Sequence, residues 1–232
     1  MSSQAPQLQP LNVLNLRQHI NQRIRDAILD GTYKPGQRLV ETFIAEQLDV
    51  SRAPVREALS ALEQEGVVIH VPRRGYLVVD FTDKDIEEVY SLRLLLEVGA
   101  LERVVKCATE QDLAEMQCLV DDLGEAAMQK QDANSIVTLD MAFHEFICRV
   151  ADHSRLYSAW DSLRLQTRLL LGVTSKTHYD HPEQPKKWHQ DILDAICDKD
   201  AKRAGAILTE HILDAQYRAT EALGKLHSSN LE

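Results

Sequence analysis

From residue 12 to residue 30 the apolar side chains of Val13, Leu16, Ile20, Ile24, Ala27 and Ile28 recur every three or four positions. That is the spacing of one face of an amphipathic helix. Gly31 provides the stop, and Lys34-Pro35-Gly36 a turn. A short helix is predicted from about 41 to 48, with Ile44, Ala45 and Leu48 inward. Asp49-Val50 then connects tightly to the stretch "SRAPVREALSALEQEG". Ser51 is placed to cap this third helix through its hydroxyl. Pro54 falls in the first turn, where a missing N–H costs little. Val55, Ala58, Leu59 and Leu62 form the inward stripe, and Gly66 ends the helix. The period then changes: "VVIHVPRRGYLVV" places two β-rich runs around Pro72-Arg73-Arg74-Gly75, which predicts a hairpin.

Beyond the hairpin the pattern is helical throughout. Thr82, with Asp85 three positions later, has the form of a capping box that opens a new helix. Helices are predicted over about 83–106, 110–130, 133–151, 154–177, 184–198 and 201–225. The fold class is therefore mainly α. A winged helix-turn-helix, three helices plus a β-hairpin, spans residues 12–80. An all-α helical-bundle domain spans 81–228. Residues 1–11 read as a disordered N-terminal tail.

Charge separates the two parts. The 232 residues carry 26 Lys+Arg against 36 Asp+Glu, a net charge of -10. Residues 1–80 hold nine of each sign, so the remainder holds 17 basic and 27 acidic residues and the whole imbalance. Such asymmetry suggests two modules with different partners. No apolar run approaches the ~18 residues of a membrane span, and "MSSQAPQLQP" lacks the form of a signal peptide. Cys107, Cys118, Cys148 and Cys197 show no CxxC spacing. They read as small buried thiols of a reducing compartment, and the protein is expected to be cytoplasmic, with no membrane partner.

The candidate chemistry of the first module is nucleic-acid recognition. Arg52, Arg56 and Ser60 line one face of the third helix at a spacing of four. In a helix-turn-helix this helix enters the major groove, and its first-turn side chains meet base edges. The arginine fork matches two acceptors of guanine. At the hairpin tip Arg73 or Arg74 can reach phosphate or the minor groove, and Gly75 allows close backbone approach.

In the second module polar residues sit on inward stripes. Ile136, Asp140, Phe143, His144, Ile147 and Ala151 form one. His189 shares a face with Ile192 and Ile196, and His211 with Ile207, Leu208 and Ala215. Burying a carboxylate and three imidazoles is costly unless something pairs with them. The set suits a divalent transition metal, with zinc foremost and nickel, manganese or iron as other fits. Cys148, four past His144, reads as packing or as a soft extra ligand. His19, His153, His178, His181 and His227 lack such a setting and are expected on the surface. Arg93 lies on the stripe of Ile86, Val89, Leu96 and Ala100. Two readings stand for it: a salt bridge to Glu97, or a guanidinium that holds a carboxylate ligand.

The run Glu41, Ala45, Leu48, Val50-Ser51-Arg52, Pro54-Val55-Arg56-Glu57-Ala58-Leu59, Leu62-Glu63, Glu65-Gly66 and Arg74-Gly75 resembles the DNA-binding domain of the GntR family of bacterial regulators. Arg93-x-x-x-Glu97, Asp140-x-x-Phe143-His144, His189 and His211 resemble the signature of its FadR-type branch, whose all-helical sensor is the FCD domain. The resemblance implies operator contacts at Ser51, Arg52, Pro54, Arg56, Arg73, Arg74 and Gly75. Thr42 stands where some members carry a basic residue and offers a hydroxyl instead. It further implies a metal held by Asp140, His144, His189 and His211, a small organic-acid effector over it near Arg93, and a homodimer. The expected function is a non-enzymatic DNA-binding transcription regulator, a repressor, whose affinity for a pseudo-palindromic operator responds to a small carboxylate. A metal-dependent enzyme acting on a small carboxylate is the alternative reading.

Overall fold

A computed structural model describes residues 13–175 and 183–229 of the chain. The chain divides into two compact units, Met1–Val79 and Asp80–Glu232. Expectations for residues 1–11, His178 and His181, and for the side chain of His227, lie outside the described residues.

The first unit runs α1 (Val13–Leu29), β1 (Arg38–Leu39), α2 (Glu41–Gln47), α3 (Arg52–Gln64), β2 (Val68–Val71) and β3 (Gly75–Val78). Its core joins Ile20, Ile24 and Ile28 of α1 to Ile44 and Ala45 of α2 and to Val55, Ala58, Leu59 and Leu62 of α3. Leu16 departs from the predicted stripe and is 43% exposed, because α3 packs against the helix beyond its first turn. Gly31 and Gly66 end α1 and α3 at φ of 82° and 72°, a backbone that favours glycine. The predicted hairpin forms, with Val71 opposite Gly75 and Val68 opposite Val78. A third strand joins it: β1 pairs antiparallel with β3 in the order β1-β3-β2. Two residues are too few to leave an alternation that periodicity can detect.

Ser51 occupies the N-cap position of α3 with extended backbone, but its hydroxyl makes no capping bond. The reason is Pro54. It stands third in the helix, where the N–H that a cap residue usually receives is missing. The Ser51 hydroxyl stays exposed.

The second unit comprises α4 (Asp83–Cys107), α5 (Glu110–Met128), α6 (Ala133–Val150), α7 (Ser154–Ser175), α8 (Gln184–Cys197) and α9 (Ala201–Ser229). Helix α4 packs on α6, α7 and α9, and α5 on α6 and α8. Trp160, Tyr90, Phe143, Met116 and Leu123 are fully buried. The Thr82–Asp85 capping box forms in full, and Thr109 with Asp112 makes a second at the head of α5. On α4 the buried stripe runs Ile86, Val89, Tyr90, Arg93, Glu97 and Ala100. Leu96 is only half-buried and Glu97 takes its place. Position 97 lies one full i,i+4 step from Arg93, toward the interior, and 96 falls to the side. Among the cysteines only Cys148 is buried; Cys107, Cys118 and Cys197 are exposed, because they lie at helix ends or on outward faces.

Candidate metal centre and nucleic-acid interface

Three helices bring the inward polar residues together. Asp140 and His144 come from α6, His189 from α8 and His211 from α9. One donor atom from each of the four lies within 4.8 Å of all the others. His144 Nε2 is 3.2 Å from His211 Nε2 and 3.9 Å from Asp140 Oδ2. His189 Nε2 is 3.3 Å from Asp140 Oδ1, and His211 Nε2 is 3.9 Å from it. Cys148 is not part of this cluster. It is a packing thiol, and burial pushes its pKa up.

The hydrogen bonds behind the imidazoles decide what they present. His144 Nδ1 lies 2.6 Å from Glu97 Oε2. A carboxylate only accepts, so Nδ1 carries the proton and Nε2 faces the cluster as a lone pair. His189 Nδ1 likewise donates to the Pro185 carbonyl at 2.7 Å, so its Nε2 is also a lone pair, turned toward the Asp140 carboxylate. Asp140 Oδ2 and His189 Nε2 are buried without a hydrogen-bond partner, as is His211 Nδ1, although it is Nε2 of that ring that faces the cluster. Acceptors converging on one another repel unless a cation sits among them. A metal with bonds of about 2.0–2.1 Å would separate neighbouring nitrogens by about 3 Å and opposed ligands by about 4 Å. The closest spacings, 3.2–3.9 Å, lie near those of such a centre, and the widest, 4.8 Å, would have to close by somewhat under an ångström. Three imidazoles and one carboxylate suit a divalent transition metal.

Glu97 anchors this arrangement from behind. It is fully buried and, besides His144, accepts from Arg93 Nε at 2.6 Å and Trp160 Nε1 at 2.8 Å. Burial alone would raise its pKa, but Arg93 and His144 outweigh that and hold it well below the usual carboxylate range. Burial also opposes ionisation of Asp140, and the facing histidines favour its charged form only in so far as they carry protons toward it. His211 is pushed well down, by burial first and then by His189 and His144. His144 is lowered by burial despite Glu97. Both imidazoles are thus neutral, as metal ligands must be.

Arg93 is 1% exposed. Its Nε edge satisfies the salt-bridge reading, while Nη2 has no partner. The Tyr90 hydroxyl nearby is also buried and unpaired. Tyr90 feels the charges of Arg93, Asp140 and Arg218, so these groups surround one region. Tyr90 and Trp160 are not legible as site residues in the sequence, and Glu97 is legible only as the partner of Arg93, not of His144 and Trp160. A tyrosine or a tryptophan on an apolar stripe reads as packing until its partners are known.

On the first unit, Thr42, Ser51, Arg52, Arg56, Arg73 and Arg74 are exposed, while Pro54 and Gly75 are half-buried. Thr42, Ser51 and Arg52 line one depression between α2 and α3. Arg52 and Arg56 both ion-pair with Glu41 of α2. Val71 and Arg74 close the hairpin turn through an N–H···O bond of 3.0 Å, with Arg73 at φ 67° and Gly75 at φ 82°. A side chain at position 75 would come within 3.9 Å of the Arg38 guanidinium. Arg38 is therefore a basic neighbour of the wing, brought there by the unforeseen strand β1.

A winged helix-turn-helix in one chain with a helical unit that buries a ligand-type cluster defines a DNA-binding transcription regulator. Comparison with known proteins bears this out. Residues 16–78 match the gntR family of bacterial regulatory proteins and residues 88–214 the FCD domain. The gluconate operon transcriptional repressor of Bacillus subtilis (strain 168) is 34% identical over 202 residues, 85% of this chain and 82% of that protein. The Uxu operon transcriptional regulator of Escherichia coli (strain K12) is 30% identical over 223 residues, 88% and 86% of the two chains. Among solved structures, a GntR regulator from Rhodococcus sp. RHA1 aligns with a TM-score of 0.76 at 29% identity, covering 90% of this chain and 99% of that one. E. coli McbR/YncC shares the fold at a TM-score of 0.72 and 24% identity, over 91% and 98% of the chains. The chain belongs to the GntR family and carries an FCD domain. It is a transcription regulator and not an enzyme, which sets aside the metalloenzyme alternative. Among the described residues no helix is long and apolar enough to cross a membrane.

Proposed function

We propose that the chain is a ligand-responsive repressor working as a homodimer in the cytoplasm. Residues 12–80 read a pseudo-palindromic operator, and residues 81–228 bind the effector and dimerise. Two-fold symmetry would place two copies of α3 in successive major grooves. Thr42, Ser51, Arg52, Pro54 and Arg56 face the groove, and Arg73, Arg74 and Gly75 form the wing contact. Asp140, His144, His189 and His211 would hold a divalent metal, zinc foremost, which when bound supplies a Lewis-acid attraction for a carboxylate oxygen. Arg93 Nη2 and the Tyr90 hydroxyl supply donors for the same carboxylate. The observation that carries the reading is the coincidence of converging imidazole lone pairs with an unpaired buried guanidinium edge. The effector switches DNA affinity only if it binds two arrangements of the dimer with different strength.

A relative named for the gluconate operon makes small sugar acids the first compounds to try. The experiment uses a duplex enriched from random-sequence DNA by the full chain, titrated by fluorescence anisotropy with gluconate and other small carboxylates. A coupling of about 1–3 kcal/mol would shift the DNA affinity roughly 5- to 150-fold. Enrichment of no duplex would overturn the DNA reading. No shift with any carboxylate would overturn the effector reading.

A further inference from the structure

Arg52 and Arg56 are not independent cations. Arg56 donates to the Glu41 carboxylate from Nε at 3.1 and 3.2 Å and from Nη2 at 2.8 Å. Arg52 Nη2 reaches the same carboxylate at 3.3 Å. The arrangement is layered: the arginine side chains are 58% and 59% exposed, while that of Glu41 is 19% exposed. The carboxylate lies beneath the two guanidiniums and joins α2 to α3. An exposed ion pair of this kind contributes little to stability, so its consequence is to be sought in what the arginines present.

We propose that Glu41 is a specificity-determining positioning residue, which buttresses Arg56 and Arg52 so that they read bases rather than collect phosphates. The inference rests on the DNA-binding reading of α3. Guanidinium geometry supports it. With its Nε–Nη2 edge held by Glu41, Arg56 keeps its Nη1–Nη2 end free, and that end can meet the two acceptors of guanine. A guanidinium held on one edge gives up less side-chain freedom when it binds.

Charge supports it as well. Two arginines and one glutamate leave the cluster one net positive charge, where two free arginines would present two. Phosphate attraction is sequence-independent and dominates non-specific binding. A carboxylate under the guanidiniums therefore weakens non-specific association, while base-edge acceptors, which are neutral, are not repelled to the same extent. Glu41 thereby raises the ratio of specific to non-specific affinity from both sides.

The test compares the full-length chain with Glu41→Gln and Glu41→Ala on two probes: the duplex enriched from random DNA by the wild-type chain, and poly(dI-dC). The glutamine variant keeps the shape and removes the charge, and circular dichroism checks that both variants fold. The expected result for both is an affinity for the enriched duplex reduced about 10-fold, the size of one oriented arginine–guanine pairing. Binding to poly(dI-dC) should hold or tighten, and its log K against log salt slope should steepen by about 0.9 as a freed arginine takes a phosphate. A purely structural role would weaken both probes alike, and a purely competing carboxylate would strengthen both alike. Either outcome, with the specificity ratio and salt slope unmoved, overturns the proposal. A wild-type chain that enriches no duplex overturns the DNA reading itself, and so is told apart from a failure of Glu41.

Discussion

His144 Nδ1 and Glu97 Oε2 meet at 2.6 Å in the interior of the helical unit, both side chains fully shielded from solvent. This contact turns the opposite nitrogen of His144 toward Asp140, His189 and His211, and the same carboxylate neutralises Arg93. Replacing Glu97 by glutamine keeps the volume but leaves Arg93 without a counter-charge. The expected cost is about 3–5 kcal/mol of stability and a metal affinity about 10–100-fold lower. Urea unfolding and competition with a coloured chelator measure the two. An unchanged metal affinity would show that Glu97 does not orient His144.

Metal itself should be separable from the fold. Protein purified without chelator is expected to carry a divalent ion in stoichiometric amount, and His189→Ala to lose it. Excess metal at about 100 times its Kd should stabilise the wild-type unit by about 2.7 kcal/mol, and His189→Ala by far less. Equal metal content and equal thermal shifts in the two proteins would reject the ligand set.

Acidification should destabilise the metal-free protein earlier than carboxylate titration alone would. His144 and His211 have folded pKa values below the ordinary 6.5. As pH falls through about 6.5 the unfolded chain takes up protons that the folded state refuses. Stability is thus complete above that value and declines below it, by up to about 1.4 kcal/mol per pH unit for each histidine. Glu97 is depressed in the fold, chiefly by Arg93 against the effect of burial, so its contribution is present above the ordinary carboxylate range and is lost only in stronger acid. Chemical denaturation in EDTA at pH 7.5 and 5.5 checks the sign. Equal stability at the two values would contradict the burial of the imidazoles in neutral form.

DNA binding should fall steeply with salt. The double change Arg52→Ala with Arg56→Ala is expected to weaken binding to the enriched duplex by about 1–3 kcal/mol for each arginine that reads a base. Anisotropy titrations over a salt series report this. Wild-type affinity in the double variant would remove both residues from the interface.

Arg73 holds a left-handed backbone, φ 67°, at the tip of the wing. For a residue with a side chain this costs roughly 1 kcal/mol. Arg73→Gly should therefore match or exceed the wild type in stability of the winged unit, whereas Arg73→Ala should bring no gain. Both should weaken DNA binding if the guanidinium touches the backbone of the duplex. A clear loss of stability in the glycine variant would mean that the Arg73 side chain supports the turn.

The helices were legible because their signals are local. The Thr82–Asp85 box and the stripe of α3 each lie within a dozen residues, and the structure repeats them nearly position for position. The cap at Ser51 misled for a reason also local, since Pro54 removes the amide that the hydroxyl would have received. The stripe of α4 misled by one residue. A leucine at 96 is the natural choice for a core and a glutamate at 97 is not, until Arg93, His144 and Trp160 are seen around it.

By itself the sequence determined the two-part organisation, the elements of each part, and the polar residues that would have to be explained if buried. Periodicity and capping act over a few residues, so they are written in the chain. Only the tertiary structure decided that Asp140, His144, His189 and His211 converge, that Glu97 stands behind them, and that Glu41 lies beneath Arg52 and Arg56. Those relationships join residues far apart in sequence, and packing of one helix against another creates them.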